Sequence, residues 1–302
     1  MVKVLVTGKG GQLAWELEQT LPPHIELVSL GIDELDITDN QAVFSACLEH
    51  KPTIVINAAA YTAVDKAETD QETAYAVNEK GSENLALACK EIKAPLIHVS
   101  TDFVFDGSNT SPYQPEDTPN PINVYGDSKL QGDIKVSDIL GNQATIIRTA
   151  WVYSAHGNNF VKTMLRLMAE KEQLGIVYDQ VGTPTWAKGL AKMIWSLVEE
   201  QGTSSKVQED GELGKAEILH WTDAGVASWY DFAVAIQELG IEKGMLDKEI
   251  PVGPIPESAY PTPAKRPSFS VIDKTTAEKA SGVKTVHWRK QLSSMLDELT
   301  NY

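Results

Sequence analysis

The chain has 302 residues, with 26 basic against 42 acidic side chains and a formal charge of −16. That length can bury a full core as one large domain or two smaller ones, and a composition 42% hydrophobic and 23% charged is globular rather than disordered. So acidic a surface repels nucleic acid and anionic lipid, which excludes a general binder of phosphate backbones.

Short runs rich in Val, Ile and Leu predict strands at 2–7, 25–30, 53–57, 95–100 and 144–149. Continuous apolar runs of this kind suit strands buried on both faces of a parallel sheet. Amphipathic stretches at 12–20, 40–50, 71–90 and 123–139 alternate with them as helices. The expected fold is therefore α/β, a Rossmann-type doubly wound parallel sheet with its ligand crevice at the C-terminal strand ends. After about residue 150 the rhythm changes: helices are expected at 158–170 and 185–200, with a strand at 176–178 between them. A strand at 217–221 could rejoin the main sheet, and 287–300 has helical spacing. The polar stretch 201–216 reads as an exposed loop, and six prolines in 251–268 forbid a helix interior there. The division expected is a dinucleotide-binding domain of 1–150 plus a return segment 186–222, and a smaller domain of 151–185 and 223–302. Cys47 and Cys89 form neither a metal-ligand spacing nor a disulfide framework. The N-terminus carries no apolar run of signal length, and no stretch reaches the roughly 18 residues of a membrane span. A soluble cytoplasmic protein is expected.

The first strand runs into Gly8-Lys9-Gly10-Gly11-Gln12-Leu13-Ala14, spaced GxxGxxA, and then a helix. Gly8 permits the tight turn, Gly11 the close approach of a pyrophosphate, and Ala14 the packing of helix on sheet. Free N–H groups at the helix start favour phosphate. The second strand ends Ser29-Leu30-Gly31 with no acid at its tip for a ribose 2′-hydroxyl, although Asp33 is near. Lys9 could meet a 2′-phosphate, so the balance leans to NADPH, with NADH possible. Asp36 and Ile37 could flank the adenine.

Tyr125 and Lys129 form a YxxxK pair on one helix face. An adjacent ammonium is expected to lower the phenol pKa and make Tyr125 a general acid, while Lys129 also holds cofactor ribose hydroxyls. Thr101 ends a buried strand at the crevice edge and would polarise a carbonyl held beside Tyr125.

These residues resemble the extended short-chain dehydrogenase/reductase family, and within it the branch that reduces dTDP-4-dehydrorhamnose. The resemblance runs through NAAAYTAVDKAE at 57–68, STDFVFDG at 100–107, VYGDSK at 124–129, RTAWVY at 148–153, GNNFVKTMLRL at 157–167, DQVGTPT at 179–185 and YPTPAKRP at 260–267. It implies a catalytic trio of Thr101, Tyr125 and Lys129 and a phosphate loop of Gly8, Gly11, Gln12 and Leu13. Ala58, Ala59 and Ala60 would let the cofactor lie along the third strand. Thr62 and Val64 would line the sugar site, and Trp151 would close over the substrate. Asn159, Gln180 and Arg266 would contact nucleotide and diphosphate. The competing readings are core packing for Trp151 and a surface ion pair for Arg266.

The implied activity is NAD(P)H-dependent reduction of the 4-keto group of dTDP-4-dehydrorhamnose to dTDP-L-rhamnose. The implied partner is a dTDP-sugar, and the chain is a monomer or homodimer. Some relatives pair subunits through magnesium held by glutamates. Glu16 and Glu298 match two such positions, but Lys188 takes the third, so no metal is expected. Phe103 follows Thr-Asp where many relatives have tyrosine and the related dehydratases have glutamate. The alternatives are another nucleotide-sugar 4-ketoreductase, epimerase or dehydratase, or a non-catalytic regulatory subunit. The charge balance then predicts an acidic exterior, with runs at 33–39, 68–72 and 209–212, around a crevice lined positively by Lys9, Lys129 and Arg266.

Overall fold

The computed structural model describes residues 2–203 and 214–300, so most of the expected loop at 201–216 and the acidic run 209–212 lie outside the described residues. The first half reads β1 (Val2–Thr7), α1 (Gln12–Gln19), β2 (Ile25–Leu30), α2 (Asn40–His50), β3 (Ile54–Asn57), α3 (Val64–Ala67), α4 (Gln71–Tyr75), α5 (Ser82–Ile92), β4 (Leu96–Thr101), α6 (Val124–Leu140) and β5 (Ala144–Thr149). The second half reads β6 (Val152–Tyr153), α7 (Phe160–Glu170), β7 (Leu174–Val177), β8 (Val181–Gly182), β9 (Thr185–Trp186), α8 (Ala187–Thr203), β10 (Glu217–Trp221), β11 (Ala227–Ser228), α9 (Trp229–Glu242), β12 (Val252–Ile255), α10 (Thr275–Ser281) and α11 (Trp288–Leu299).

Six parallel strands form one sheet in the order β10-β5-β4-β3-β1-β2. Strand order reverses beside β1, which opens a crevice at the C-terminal ends there. Each strand is apolar on both faces because helices cover both. Val4, Val6, Ile54, Ile56, Ile97 and Ile147 face α1 and α8. Leu5, Val55, Leu96 and Ile146 face α2, α5 and α6.

A separate core gathers Tyr153, Val161, Met164, Met168, Phe232, Ile236, Trp288, Leu292 and Met295. Helix α9 within it was not expected. It is buried on most sides, which flattens its amphipathic period. Its start carries a capping box, with Ser228 Oγ accepting from Asp231 N and Asp231 accepting from Ser228 N. Pro254 sits in β12, which among the described residues pairs with β7 alone, an edge setting that tolerates a missing N–H. Ala277 of α10 packs against the core of the main sheet.

The expected single helix over 71–90 is interrupted. Residues Ala76–Gly81 form a π-helical segment between α4 and α5. The wider turn turns the Asn78 carbonyl toward α6, where a Cβ on Gly132 would stand 2.2 Å from it. Asn78 also accepts from Tyr61 N at 2.9 Å and donates to Ser128 Oγ at 3.0 Å. The interruption thereby ties α6 to the chain leaving β3.

Candidate active site

A cleft of about 940 Å³ opens at the C-terminal edge of the sheet. Gly8, Lys9, Gly11, Gln12, Leu13, Asp36, Ile37, Ala58, Ala59, Ala60, Thr62, Val64, Thr101, Tyr125, Lys129, Trp151 and Arg266 all line it. Two expected contacts do not. Asn159 caps α7, accepting from Lys162 N at 3.2 Å, and its amide donates to Gln12 Oε1 and Ser154 O. Gln180 is 5% exposed and outside the lining.

The phosphate loop leaves β1 with Gly8 at φ +80° and Gly10 at φ +87°. A Cβ on Gly8 would stand 2.8 Å from Ala59 N and 2.9 Å from the Ala58 carbonyl. The loop thus lies directly on the small residues after β3, and the N-terminus of α1 faces open space. That backbone cradle fits a dinucleotide. The GxxGxxA spacing assigned no role to Gly10, whose left-handed backbone the turn also requires.

Lys9 does not stand free. Its ammonium meets Glu34 Oε1 at 3.0 Å, and Glu34 Oε2 accepts from Gly31 N at 2.9 Å. The acid missing from the tip of β2 is supplied three residues later by a turn. The Gly31 N–H, and then Lys9, hold the Glu34 carboxyl below its ordinary range.

Helix α6 begins at Asn123, whose Oδ1 accepts from Gly126 N at 2.7 Å and whose amide donates to Lys265 O at 2.8 Å. Glu68 Oε1 accepts from Val124 N at 2.9 Å, so this acid is not simply solvated surface. A Cβ on Gly126 would meet the Phe103 carbonyl at 2.1 Å. Glycine there seats the start of α6 on the turn after β4 and brings Tyr125 beside Thr101. Thr101 Oγ1 donates to Asp102 Oδ1 at 3.1 Å and accepts from Phe103 N at 3.2 Å. The Phe103 ring meets Tyr125 edge-on with centroids 5.6 Å apart.

Lys129 is 1% exposed, and its Nζ donates to Val99 O at 2.7 Å. Burial pulls its pKa down to about 8 against the opposing pull of Asp133. The expectation that Lys129 lowers the tyrosine pKa is not met. Burial pushes Tyr125 up to about 12, with Asp102 and Asp133 adding to it and Thr101 opposing. Tyr125 therefore stands as a neutral phenol. Burial also raises the Asp102 carboxyl to about 6.

Trp151 has a left-handed backbone at φ 48°, and its ring stacks on Trp229 at 3.5 Å. A Cβ on Gly182 would stand 2.8 Å from that indole. The strained residue is clamped in place at the cleft wall, as at many ligand sites. Arg266 binds Asp65 through two hydrogen bonds, Nη1 to Oδ1 at 3.0 Å and Nη2 to Oδ2 at 2.8 Å. The cleft cations are thus present, but Lys9 and Arg266 each have a carboxylate partner already.

The glutamates at the implied magnesium position do not fit a cation. Glu16 is fully buried and accepts from Ser154 Oγ at 2.8 Å and Trp186 Nε1 at 3.1 Å. Lys188 Nζ sits 2.6 Å from Glu298 Oε2 and places a fixed positive charge there.

The chain matches the family described as RmlD substrate binding domain over residues 2–301. A dTDP-4-dehydrorhamnose reductase of Aggregatibacter actinomycetemcomitans is 39% identical over 297 residues, covering 98% of each chain. The chain belongs to this family. Among solved structures, a dTDP-4-dehydrorhamnose reductase of Clostridium acetobutylicum has a TM-score of 0.88 at 38% identity, covering 99% of this chain and 100% of that one. The same enzyme of Bacillus anthracis, solved in complex with NADP, has a TM-score of 0.88 at 33% identity over 99% and 100% of the two chains. Two residues of this family member escaped the motifs: Trp229, which lines the cleft and follows the Ser228 cap, and Asp133, buried outside the lining and one helical turn beyond Lys129.

Proposed function

We propose that the chain is a reductase that uses NADPH, and NADH less readily, to convert the 4-keto group of dTDP-4-dehydrorhamnose into dTDP-L-rhamnose, the last step of that synthesis. One observation carries the reading: Thr101, Tyr125 and Lys129 stand on the wall of the cleft that the glycine loop and Ala58–Ala60 also line. The names of the relatives, one of them solved with NADP, support the substrate and the cofactor.

Bound reduced nicotinamide supplies the hydride. Gly8, Gly11, Gln12 and Leu13 receive the pyrophosphate, and Lys129 offers its remaining hydrogens to ribose hydroxyls. Thr101 Oγ1 turns its one hydrogen from Asp102 Oδ1 to the keto oxygen, which becomes more basic as negative charge builds on it. Tyr125 then donates its phenolic proton to that oxygen. An alkoxide is a stronger base than a phenolate, so a phenol raised to about 12 still gives up its proton downhill. Arg266 turns from Asp65 to the sugar-nucleotide diphosphate, to which its planar fork is suited. Trp151 and Trp229 pack on the sugar or base. Phe103 holds no proton to move, which favours reduction over elimination.

In this reading residues 1–150 and 186–222 bind the dinucleotide, and 151–185 with 223–302 bind the sugar nucleotide. The chain works as a monomer or homodimer in the cytoplasm. Buried, unpaired Cys47 and Cys89 are in keeping with a reducing compartment. Among the described residues no helix is long and apolar enough to cross a membrane.

The test mixes the purified chain with the keto-sugar nucleotide and either reduced cofactor. Loss of reduced-nicotinamide absorbance with formation of dTDP-rhamnose is expected. No loss with either cofactor overturns the reading. Stoichiometric NAD⁺ retained through purification would favour an epimerase or dehydratase instead.

A further inference from the structure

Tyr125, Lys129 and Asp133 fall four residues apart along α6, so one helix face carries a phenol, an ammonium and a carboxylate in line. The reaction above uses the first two. Asp133 is 3% exposed and does not line the cleft. Burying a carboxylate so deeply is costly unless it answers a charge.

Its surroundings define what it answers. Asp133 Oδ2 faces Arg148 Nε of β5 at 3.4 Å, and Oδ1 faces His98 Nε2 of β4 at 3.5 Å. The hydrogen on His98 can be placed. Asn57 Oδ1 accepts from Thr7 Oγ1 at 2.7 Å and from Ala59 N at 3.2 Å. That turns the Asn57 amide nitrogen toward His98 Nδ1, 3.1 Å away. Nδ1 therefore accepts, and Nε2 carries its hydrogen toward Asp133. Burial, then Lys129, holds His98 below the ordinary histidine range, so the ring is neutral. His220 of β10, beyond Arg148, is likewise held neutral, its pKa pushed down to about 3 by burial and Arg148. After burial, Asp102 and Asp133 both raise the Tyr125 phenol, which keeps it neutral. The buried charges around Asp133 are thus Lys129 and Arg148, both positive.

We infer that Asp133 is a positioning residue for the reduction: it is the buried counter-charge that keeps Lys129 an ammonium, seated on the Val99 carbonyl, while the site turns over. The inference rests on the reductase reading for its kinetic test only. A neutral Lys129 amine would have two hydrogens instead of three to share between Val99 O and the cofactor ribose. It would also withdraw the positive potential from the face on which Tyr125 becomes a phenolate. Asp133 achieves this through the field along one helical turn, while the Nζ hydrogens remain free for the carbonyl and the ligand.

The experiment records kcat/KM against pH for the wild type, Asp133→Asn and Asp133→Glu. In Asp133→Asn the alkaline limb is expected to move down by about one pH unit or more, so activity on that limb falls roughly tenfold while the neutral plateau changes little. Asp133→Glu keeps the charge and is expected to restore the wild-type limb. A uniform loss at every pH with an unmoved limb would mark a merely structural role and overturn the inference. Should Asp133→Asn not fold, the double variant Asp133→Asn/Arg148→Gln removes both charges of the pair and leaves no orphan, and its limb is expected to shift in the same direction. An inactive wild type would strike the reductase reading, and the counter-charge of Lys129 would then be decided by its titration alone. Nitrogen NMR of lysine-labelled protein then follows the Lys129 titration directly, with a lower midpoint in the variant expected and an unmoved midpoint fatal.

Discussion

Arg266 and Asp65 share two hydrogen bonds, at 3.0 and 2.8 Å, that join the proline-rich segment before α10 to the start of α3. Arg266 also lines the cleft, so its fork is held ready by a carboxylate that a diphosphate can displace. Arg266→Lys keeps the charge and loses the planar fork. It is expected to raise KM for the sugar nucleotide roughly tenfold with kcat within about threefold. Steady-state kinetics reads this, and an unchanged KM would remove Arg266 from the substrate site.

Lys9 and Glu34 set the second expectation. Their side chains are 47% and 46% exposed, so the pair is screened and weak. Glu34→Gln releases Lys9 toward a 2′-phosphate and removes a carboxylate that would repel it. The kcat/KM ratio of NADPH over NADH should rise roughly threefold, and should fall in Lys9→Ala. A ratio unmoved by both changes would show that neither residue reads the 2′ position.

Much of this was legible in the sequence, for physical reasons. Strands β1, β2, β5 and β10 begin and end where expected, because their apolar runs are bounded by breakers and buried on both faces. YxxxK and the glycine loop also declare themselves by spacing. Glu34 was not legible, because a turn at Gly31 folds it back onto the strand tip. The π-helical segment was hidden for a different reason: its residues look like ordinary helix, and only the approach of Gly132 to the Asn78 carbonyl reveals the widened turn. The raised pKa of Tyr125 reflects burial, which a local YxxxK pattern does not encode.

Asp223 offers a test of stability against pH. It is 1% exposed, accepting from Trp186 N at 3.0 Å, and burial raises its carboxyl to about 7. The folded state therefore favours the protonated acid. That contribution is complete below the unfolded pKa and is lost as pH rises through the folded one. Asp223→Asn should gain several degrees of Tm over the wild type near pH 8, and little or nothing near pH 4. Thermal melts at the two pH values check this, and an equal difference at both would contradict it.

The Lys188–Glu298 pair at 2.6 Å puts an ammonium where a bridging metal would need an acid. Treatment with a chelator is therefore expected to leave turnover and Tm unchanged. Loss of either on chelation, restored by magnesium, would show that a metal binds in spite of Lys188.

The most direct measurement is single-turnover and steady-state reduction by Tyr125→Phe, with cofactor affinity measured alongside. The phenolic proton is lost, while the ring, its edge-on contact with Phe103 and the Lys129–Val99 bond are kept. A fall in kcat of roughly 10²- to 10⁴-fold with cofactor affinity unchanged is predicted. Turnover within about twofold of the wild type would contradict Tyr125 as the proton donor and, with it, the proposed reduction chemistry.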